Sequence, residues 1–433
     1  MKDLTQDSIA RNLVTMAAPV AAGMFVQTLY LLVDLYFVAS LGDAAIAGVG
    51  SAGTLMFVVA ALTQVLGVGA VALISQAVGR RDRREANRVF NQALLLAAGC
   101  GAAMLLLGYA FTGRYVASIA ADAAVRAAGT TFLYWFLPGF ALQFAVVTMG
   151  AALRGTGIVK PTVIAQALTV VMNTALAPVL IAGWGTGRPL GVAGAGLASS
   201  VSIAAGGVLL ALYFVKLEKY VAFQPALWRP ELAIWKRMLA VGLPAGAELA
   251  LMFVYLALVY ALISGFGAAV QAAFGIGARI VQAILLPTMA LAFAAGPIAG
   301  QNFGAGQPGR VRETAAYAML LNALVMGLVT LLLQWRPESL IALFSPEAEV
   351  QSIGADFLRI ISWAFLAQGI VFICSGLFQG LGNTRPSLLS SGVRLASFVP
   401  LALWLSRRPG FGLEQLWYAS VAAAVLQAAA SLA

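Results

Sequence analysis

Two of the sixteen acidic residues stand inside long apolar stretches: Asp34 in LYLLVDLYFV and Glu248 in PAGAELALMF. A charge at the bilayer centre costs at least about 2.5–3.5 kcal/mol on insertion scales, so an acid there marks an ion or substrate path by default. Asp34 lies roughly 21 residues into the first apolar stretch, or ~32 Å of helical rise, which puts it in the outer half of a span. Tyr30 is one turn earlier on the same face and can hydrogen-bond its carboxyl. Pro19 should bend or weaken the helix before them. A carboxyl so placed can bind a proton or a cation; a structural pairing is the alternative. Glu248 lies about ten residues into its stretch, ~15 Å of rise, near the midplane. Arg279 is equally deep in the next stretch, which enters from the opposite side. Buried charges are normally paired, so Glu248 is read either as half of an ion pair with Arg279 or as a cation- or substrate-binding carboxylate. Gln143, Gln368 and Asn173 are polar groups inside other apolar stretches. They either line a cavity or form helix–helix hydrogen bonds worth about 0.6 kcal/mol each. Aromatic residues, 10% of the chain, offer stacking faces for flat cations.

The elements that carry these residues follow from composition. The 433-residue chain is 61% hydrophobic and 10% charged, whereas a soluble domain carries about 25% charged residues. Solid apolar blocks such as Ala93–Leu107 exclude the alternating pattern of a membrane β-barrel. Charge and Gly/Pro clusters divide the chain into twelve helices, at about 13–40, 44–78, 89–112, 126–150, 158–183, 191–215, 238–264, 269–301, 313–334, 354–379, 387–406 and 412–432. The fold class is therefore an all-α integral membrane protein. Its expected parts are an N-lobe (1–215), a cytoplasmic linker (216–237) and a C-lobe (238–433). With the N-terminus inside, the inner loops hold 18 Lys and Arg, Arg394 among them, against 7 outside. That bias predicts both termini in the cytoplasm. It also reads the net charge of +10 as a topology signal beside anionic lipid, not as a nucleic-acid footprint.

The chain repeats itself at one constant offset without a gap. Pro19 aligns with Pro244, Gly42 with Gly267, Gln76 with Gln301, Gln143 with Gln368, and Gly155, Gly157 and Pro161 with Gly380, Gly382 and Pro386. Six spans per half is an even number, so the halves enter from the same side and relate by a pseudo-two-fold axis along the membrane normal. That arrangement suits a transporter that rocks two bundles about a central site.

Other chemistries lack their parts. The sequence has no His, so a Ser–His triad is excluded. Its two cysteines, Cys100 and Cys374, are far apart in apolar runs and give no metal spacing. GAALRGTG at 150–157 is not followed by Lys-Ser/Thr, so no Walker A loop is present. Neither an enzyme nor a cofactor or metal site is expected. Transport would draw on an ion gradient or be passive.

Several motifs resemble the multidrug and toxic compound extrusion (MATE) family. They are Pro19…Asp34…Gly42, the Gln76-x-x-Gly79 ending helix 2 and its echo Gly300-Gln-Asn-Phe-Gly-Ala-Gly306, Leu153-Arg-Gly-Thr-Gly-Ile-Val-Lys-Pro161, and Leu190-Gly-Val-Ala-Gly-Ala-Gly-Leu-Ala198. The resemblance covers nearly the whole chain and points to the branch of DNA-damage-inducible protein F (DinF). It implies two six-helix lobes exporting organic cations in exchange for H⁺ or Na⁺ across a prokaryotic inner membrane. It also implies a monomer surrounded by lipid. The branch's coupling aspartate matches Asp34, its tyrosine one turn earlier matches Tyr30, and its bending proline matches Pro19. The family's Asn-x-x-x-Asp-Pro pattern falls on Asn173-Thr-Ala-Leu-Ala177-Pro178, keeping the Asn but replacing the Asp by Ala177. The helix 10 aspartate of NorM-like members corresponds to Gln368. Both departures favour H⁺ over Na⁺, although Glu248 keeps Na⁺ open. The rival within the wider superfamily is a flippase for lipids or lipid-linked oligosaccharides, whose cavity should be strongly basic. A major-facilitator transporter or a non-transporting membrane enzyme or receptor fits less well.

Overall fold

A computed structural model describes residues 1–39 and 41–433, with the side chains of all these except 29–35, 51 and 54. α1 (Ile9–Ala39), α2 (Asp43–Ser51), α3 (Gly53–Gly79), α4 (Arg83–Ile119), α5 (Ala123–Gly155), α6 (Lys160–Ile181) and α7 (Val192–Lys216) form the first half. α8 (Leu232–Ile263), α9 (Ala268–Gly304), α10 (Pro308–Trp335), α11 (Glu338–Ala342), α12 (Ala348–Ile361), α13 (Phe365–Leu381), α14 (Arg385–Ser406) and α15 (Leu413–Leu432) form the second. Among the described residues there is no strand, and twelve stretches are long and apolar enough to cross a membrane. α2 with α3 make one of these, and α12 with α13 another. Ala52, between α2 and α3, keeps helical angles (φ −71°, ψ −17°), so the span runs on across the break.

Helix ends differ from the apolar blocks where polar residues lengthen a helix. α4 begins at Arg83, several residues before its apolar run, because the Asp82 side chain accepts the Glu85 backbone N–H at 2.9 Å. That bond satisfies one of the orphan donors of the first turn. Asp122 caps α5 in the same way, accepting from Ala124 and Val125. Proline occupies the first turn of α6, α10 and α14, where its missing N–H costs nothing. α1 remains helical through Pro19.

The repeat is visible in the backbone. The repeat-equivalent Gly42 and Gly267 precede α2 and α9 with φ of 97° and 98°. Gly157 and Gly382 are a second such pair, with φ of 79° and 76°. Side chains rarely adopt such angles, so glycine is required at each. Between α9 and α13 the backbones come close: a Cβ on Gly296 would lie 2.9 Å from the Gly376 carbonyl oxygen. Small residues permit this approach between membrane helices.

The chain divides into two compact units, one of residues 1–3 and 22–242, the other of 4–21 and 243–433. α1 and α8, the first helix of each repeat, therefore each change unit within a few residues of Pro19 and Pro244. In unit 1, a stacked Phe90–Phe214 pair sits in the core, with centroids 4.7 Å apart. In unit 2, Phe274 and Trp417 stack at 5.5 Å. Outward-facing Leu106, Leu331 and Trp335 are exposed, as expected for surface that meets lipid.

Each unit also grips the segment that leads into a repeat's first helix. In unit 1, three amides near the start of α4 hold residues 220–231. Asn87 donates to Tyr220 O and accepts from Ala222 N, at 2.8 and 2.9 Å. Asn91 donates to Ala222 O at 2.9 Å, and its Oδ1 accepts from Gln224 N at 2.8 Å and Trp228 Nε1 at 3.0 Å. Gln92 donates to Leu227 O and Arg229 O, both at 2.7 Å, and accepts from Glu231 N at 2.9 Å. Ion pairs Arg88–Glu231 and Arg237–Glu85 flank them. In unit 2, Gln301 accepts from Leu4 N at 2.9 Å and Asn302 donates to Leu4 O at 3.2 Å. Arg310 donates to Gln6 O and Asp7 O, each at 2.7 Å. Leu4 and Arg229 are equivalent in the repeat, so the same point of each half is gripped, by different side chains. These clasps fix how α1 and α8, which carry Asp34 and Glu248, enter the fold.

Candidate functional site

In unit 1 the sequence candidates lie on α1, α5 and α6. The side chains of Asp34 and Tyr30 lie outside the described residues; their backbone is part of α1. Asn173 on α6 is fully buried. Its Nδ2 donates to Ser199 Oγ of α7 at 3.2 Å. Its Oδ1 is buried without a hydrogen-bond partner among the described residues. An unsatisfied buried amide oxygen costs roughly 1–3 kcal/mol, so its retention in a helix interior calls for a reason beyond packing. Ala177, one turn on, is also fully buried. Gln143 on α5 is half-buried and makes no protein hydrogen bond among the described residues. Gln368, its repeat equivalent on α13, is half-buried and unbonded in the same sense.

In unit 2, Glu248 on α8 accepts a 2.8 Å hydrogen bond from Ser375 Oγ on α13. Gln379, one turn further along α13, donates to the same hydroxyl at 3.3 Å. Arg279 on α9 is exposed and belongs to no ion pair among the described residues. The expected Glu248–Arg279 pair is therefore absent. Equal depth did not bring the two together because helical rise fixes height but not the face a side chain takes.

Arg394 is a second correction. The sequence count puts it with the loop cations, but the structure makes it the tenth residue of α14, about 13 Å of rise from the helix start. Its guanidinium lies 4.1 Å from the centroid of the Tyr255 ring on α8. It donates to Gln427 Oε1 of α15 at 3.4 Å, and Gln427 in turn donates to Ser391 Oγ at 3.0 Å. A cation inside a membrane span costs about as much as an acid there. The available signal was its place seven residues past the expected start of that helix. Ser375 gave no signal, since a serine in an apolar run is unremarkable by type. Among the described residues no group of three or more His, Cys, Asp or Glu gathers as a metal site.

Twelve apolar helical stretches in a tandem repeat, with polar groups held inside each half, define a multi-pass membrane protein built from two like halves. The MatE family pattern matches residues 19–179 and again 244–404. The two matches begin at Pro19 and Pro244 and keep the register of the sequence repeat from end to end. The chain belongs to the MatE family. Relatives along nearly all its length include the probable multidrug resistance protein YoeA of Bacillus subtilis, 26% identical over 95% of this chain and 90% of that protein. A FAD transporter of Shewanella oneidensis is 25% identical over 93% of this chain and 90% of that one. The multidrug export protein MepA of Staphylococcus haemolyticus is 23% identical over 93% and 88%. Among solved structures, a MOP superfamily transporter from Pyrococcus furiosus matches with a TM-score of 0.91 at 24% identity, covering 99% of this chain and 95% of that one. An outward-facing multidrug resistance MATE family transporter matches with the same score, identity and coverage. These likenesses establish the fold.

Proposed function

We propose that this protein is a secondary active exporter of small organic cations, driven by inward movement of H⁺, with Asp34 as the coupling carboxylate. The observation that carries the reading is the charge inventory of a MatE-family N-half: Asp34 is the one acid well inside an apolar stretch of residues 1–215. Proton and cation compete for one carboxyl. Protonation from outside displaces the cargo, and cargo binding from inside releases the proton. Coupling then follows from the difference in affinity between the two states. Tyr30, one turn before Asp34, is assigned to orient the carboxyl. Asn173, with a spare acceptor, is assigned to the same region, and Pro19 to bending of α1. Ala177 leaves that region without a second carboxylate, which argues against multi-ligand Na⁺ binding there. Gln143 and Gln368 are assigned to cavity walls. The protein would act as a monomer in a prokaryotic inner membrane with both termini cytoplasmic, its N-lobe over 1–215 and its C-lobe over 238–433.

The test is ethidium efflux from proteoliposomes under a pH gradient or a Na⁺ gradient, imposed separately, for wild type and Asp34→Asn. The reading expects efflux driven by pH and lost in Asp34→Asn. Efflux driven only by Na⁺ would overturn H⁺ coupling and move the ion site toward Glu248. No efflux under either gradient would favour the flippase reading, to be followed with lipid-linked cargo.

A further inference from the structure

Unit 2 holds a cation that no described carboxylate neutralises. Arg394 forms no ion pair among the described residues. Its neighbours are the neutral ring of Tyr255 and the neutral amide of Gln427. Gln427 is buried and tied to Ser391, which is also buried. These contacts hold the guanidinium inside the bundle, against the usual escape of a long basic side chain toward the membrane surface. Nη1 is the nitrogen bonded to Gln427. Nε is buried with no acceptor among the described residues. Nη2, which shares an edge with the Nε–H, makes no hydrogen bond among the described residues. One whole edge of the guanidinium is therefore unused. That edge presents two parallel N–H donors, the fork that matches two oxygens of a carboxylate or phosphate. A charge well inside a membrane-spanning helix is normally paired with another group of opposite charge. In the other repeat the equivalent position is Thr169, so the feature belongs to unit 2 alone and is not part of the general packing plan.

We propose that Arg394 binds the oxyanion of a ligand, a carboxylate or phosphate group, and that this ligand is an anionic or zwitterionic cargo. The assignment as cargo rests on the exporter reading above; the binding of an oxyanion does not. Tyr255 covers one face of the guanidinium and Gln427 sets its angle, so both act as positioning residues. A phospholipid headgroup offers the same chemistry, and the test separates the two sources.

Flavin mononucleotide and riboflavin differ only by a phosphate monoester, and both fluoresce. Their binding to the purified full chain in dodecyl maltoside micelles, followed by fluorescence anisotropy, compares ligands with and without the oxyanion and needs no gradient. Wild type should bind flavin mononucleotide at least tenfold more tightly than riboflavin. Arg394→Gln should bind the two alike, and Arg394→Lys should keep part of the preference. A cooperative thermal melt and a single monodisperse elution peak for Arg394→Gln show that the variant is folded. Equal affinities in wild type, no binding of either flavin, or a preference that survives Arg394→Gln would overturn the proposal. Repeating the titration in phosphatidylglycerol nanodiscs separates the sources. A preference kept there supports cargo, while one lost only there assigns Arg394 to a lipid headgroup and overturns the cargo assignment. Failure of pH-driven ethidium efflux alongside an intact flavin mononucleotide preference would overturn the exporter reading, and with it the assignment as cargo, and leave the oxyanion site standing.

Discussion

Ser375 and Glu248, 127 residues apart in the chain, meet in unit 2 through a 2.8 Å hydrogen bond that joins α13 to α8. The bond gives a membrane-embedded carboxyl a neutral donor in place of a cation. It also leaves the exposed Arg279 with no charge partner among the described residues. Ser375→Ala should lower thermal stability by about 1–2 kcal/mol, since it removes a donor from a half-buried carboxyl. Arg279→Gln should shift stability by less than about 0.5 kcal/mol, as for other exposed positions. Thermal melts of the two purified variants check both. A larger loss in Arg279→Gln than in Ser375→Ala would contradict the observed pairing.

Asn91 spans two backbone groups and the Trp228 indole in the segment before α8. Asn91→Ala would leave several of these polar groups unsatisfied, at a cost of roughly 2–3 kcal/mol. The same change should open residues 217–231 to protease, because outside one short 3-10 turn at Pro225–Leu227 the backbone there is held mainly by side chains. Limited proteolysis read by mass spectrometry checks this, with cleavage expected in that segment in the variant and not in wild type.

Asn173 contributes one 3.2 Å hydrogen bond and keeps a buried acceptor empty among the described residues. Asn173→Ala should therefore cost little stability, within about 1 kcal/mol. If the residue serves the Asp34 region, the same variant should lose most of its pH-driven efflux. Melting temperature and ethidium efflux on one preparation separate these effects. Strong destabilisation with normal efflux would make Asn173 a packing residue.

Much of the fold was legible because lipid imposes long apolar runs and because the two halves repeat. Gly42 and Gly267, or Gly157 and Gly382, share a sequence offset and also share backbone angles that only glycine adopts readily. The side-chain partnerships were less legible. Arg279 was matched to Glu248 by depth, yet a pairing also needs the angle around each helix axis, which a few residues of uncertainty at the helix ends erase. Arg394 read as a loop cation because Arg385 and a polar run precede it closely. The amides Asn87, Asn91 and Gln92 looked like ordinary polar residues at a helix start. Their role depends on a segment far along the chain, between Tyr220 and Glu231. Asp34 and Asn173 stood out from sequence because each breaks an apolar run, the one signal that a single membrane sequence gives plainly.

The central claim is that one carboxyl serves proton and cargo in turn, and proton release on cargo binding tests it most directly. Purified protein in weakly buffered detergent solution, above the pH at which the site begins to release its proton, is mixed with ethidium while a pH dye records the protons set free. The account predicts release approaching about one proton per ethidium bound at the acid end of the range, falling as pH rises, and none in Asp34→Asn. Ethidium bound by wild type with no proton released at any pH, or equal release from Asp34→Asn, would contradict it.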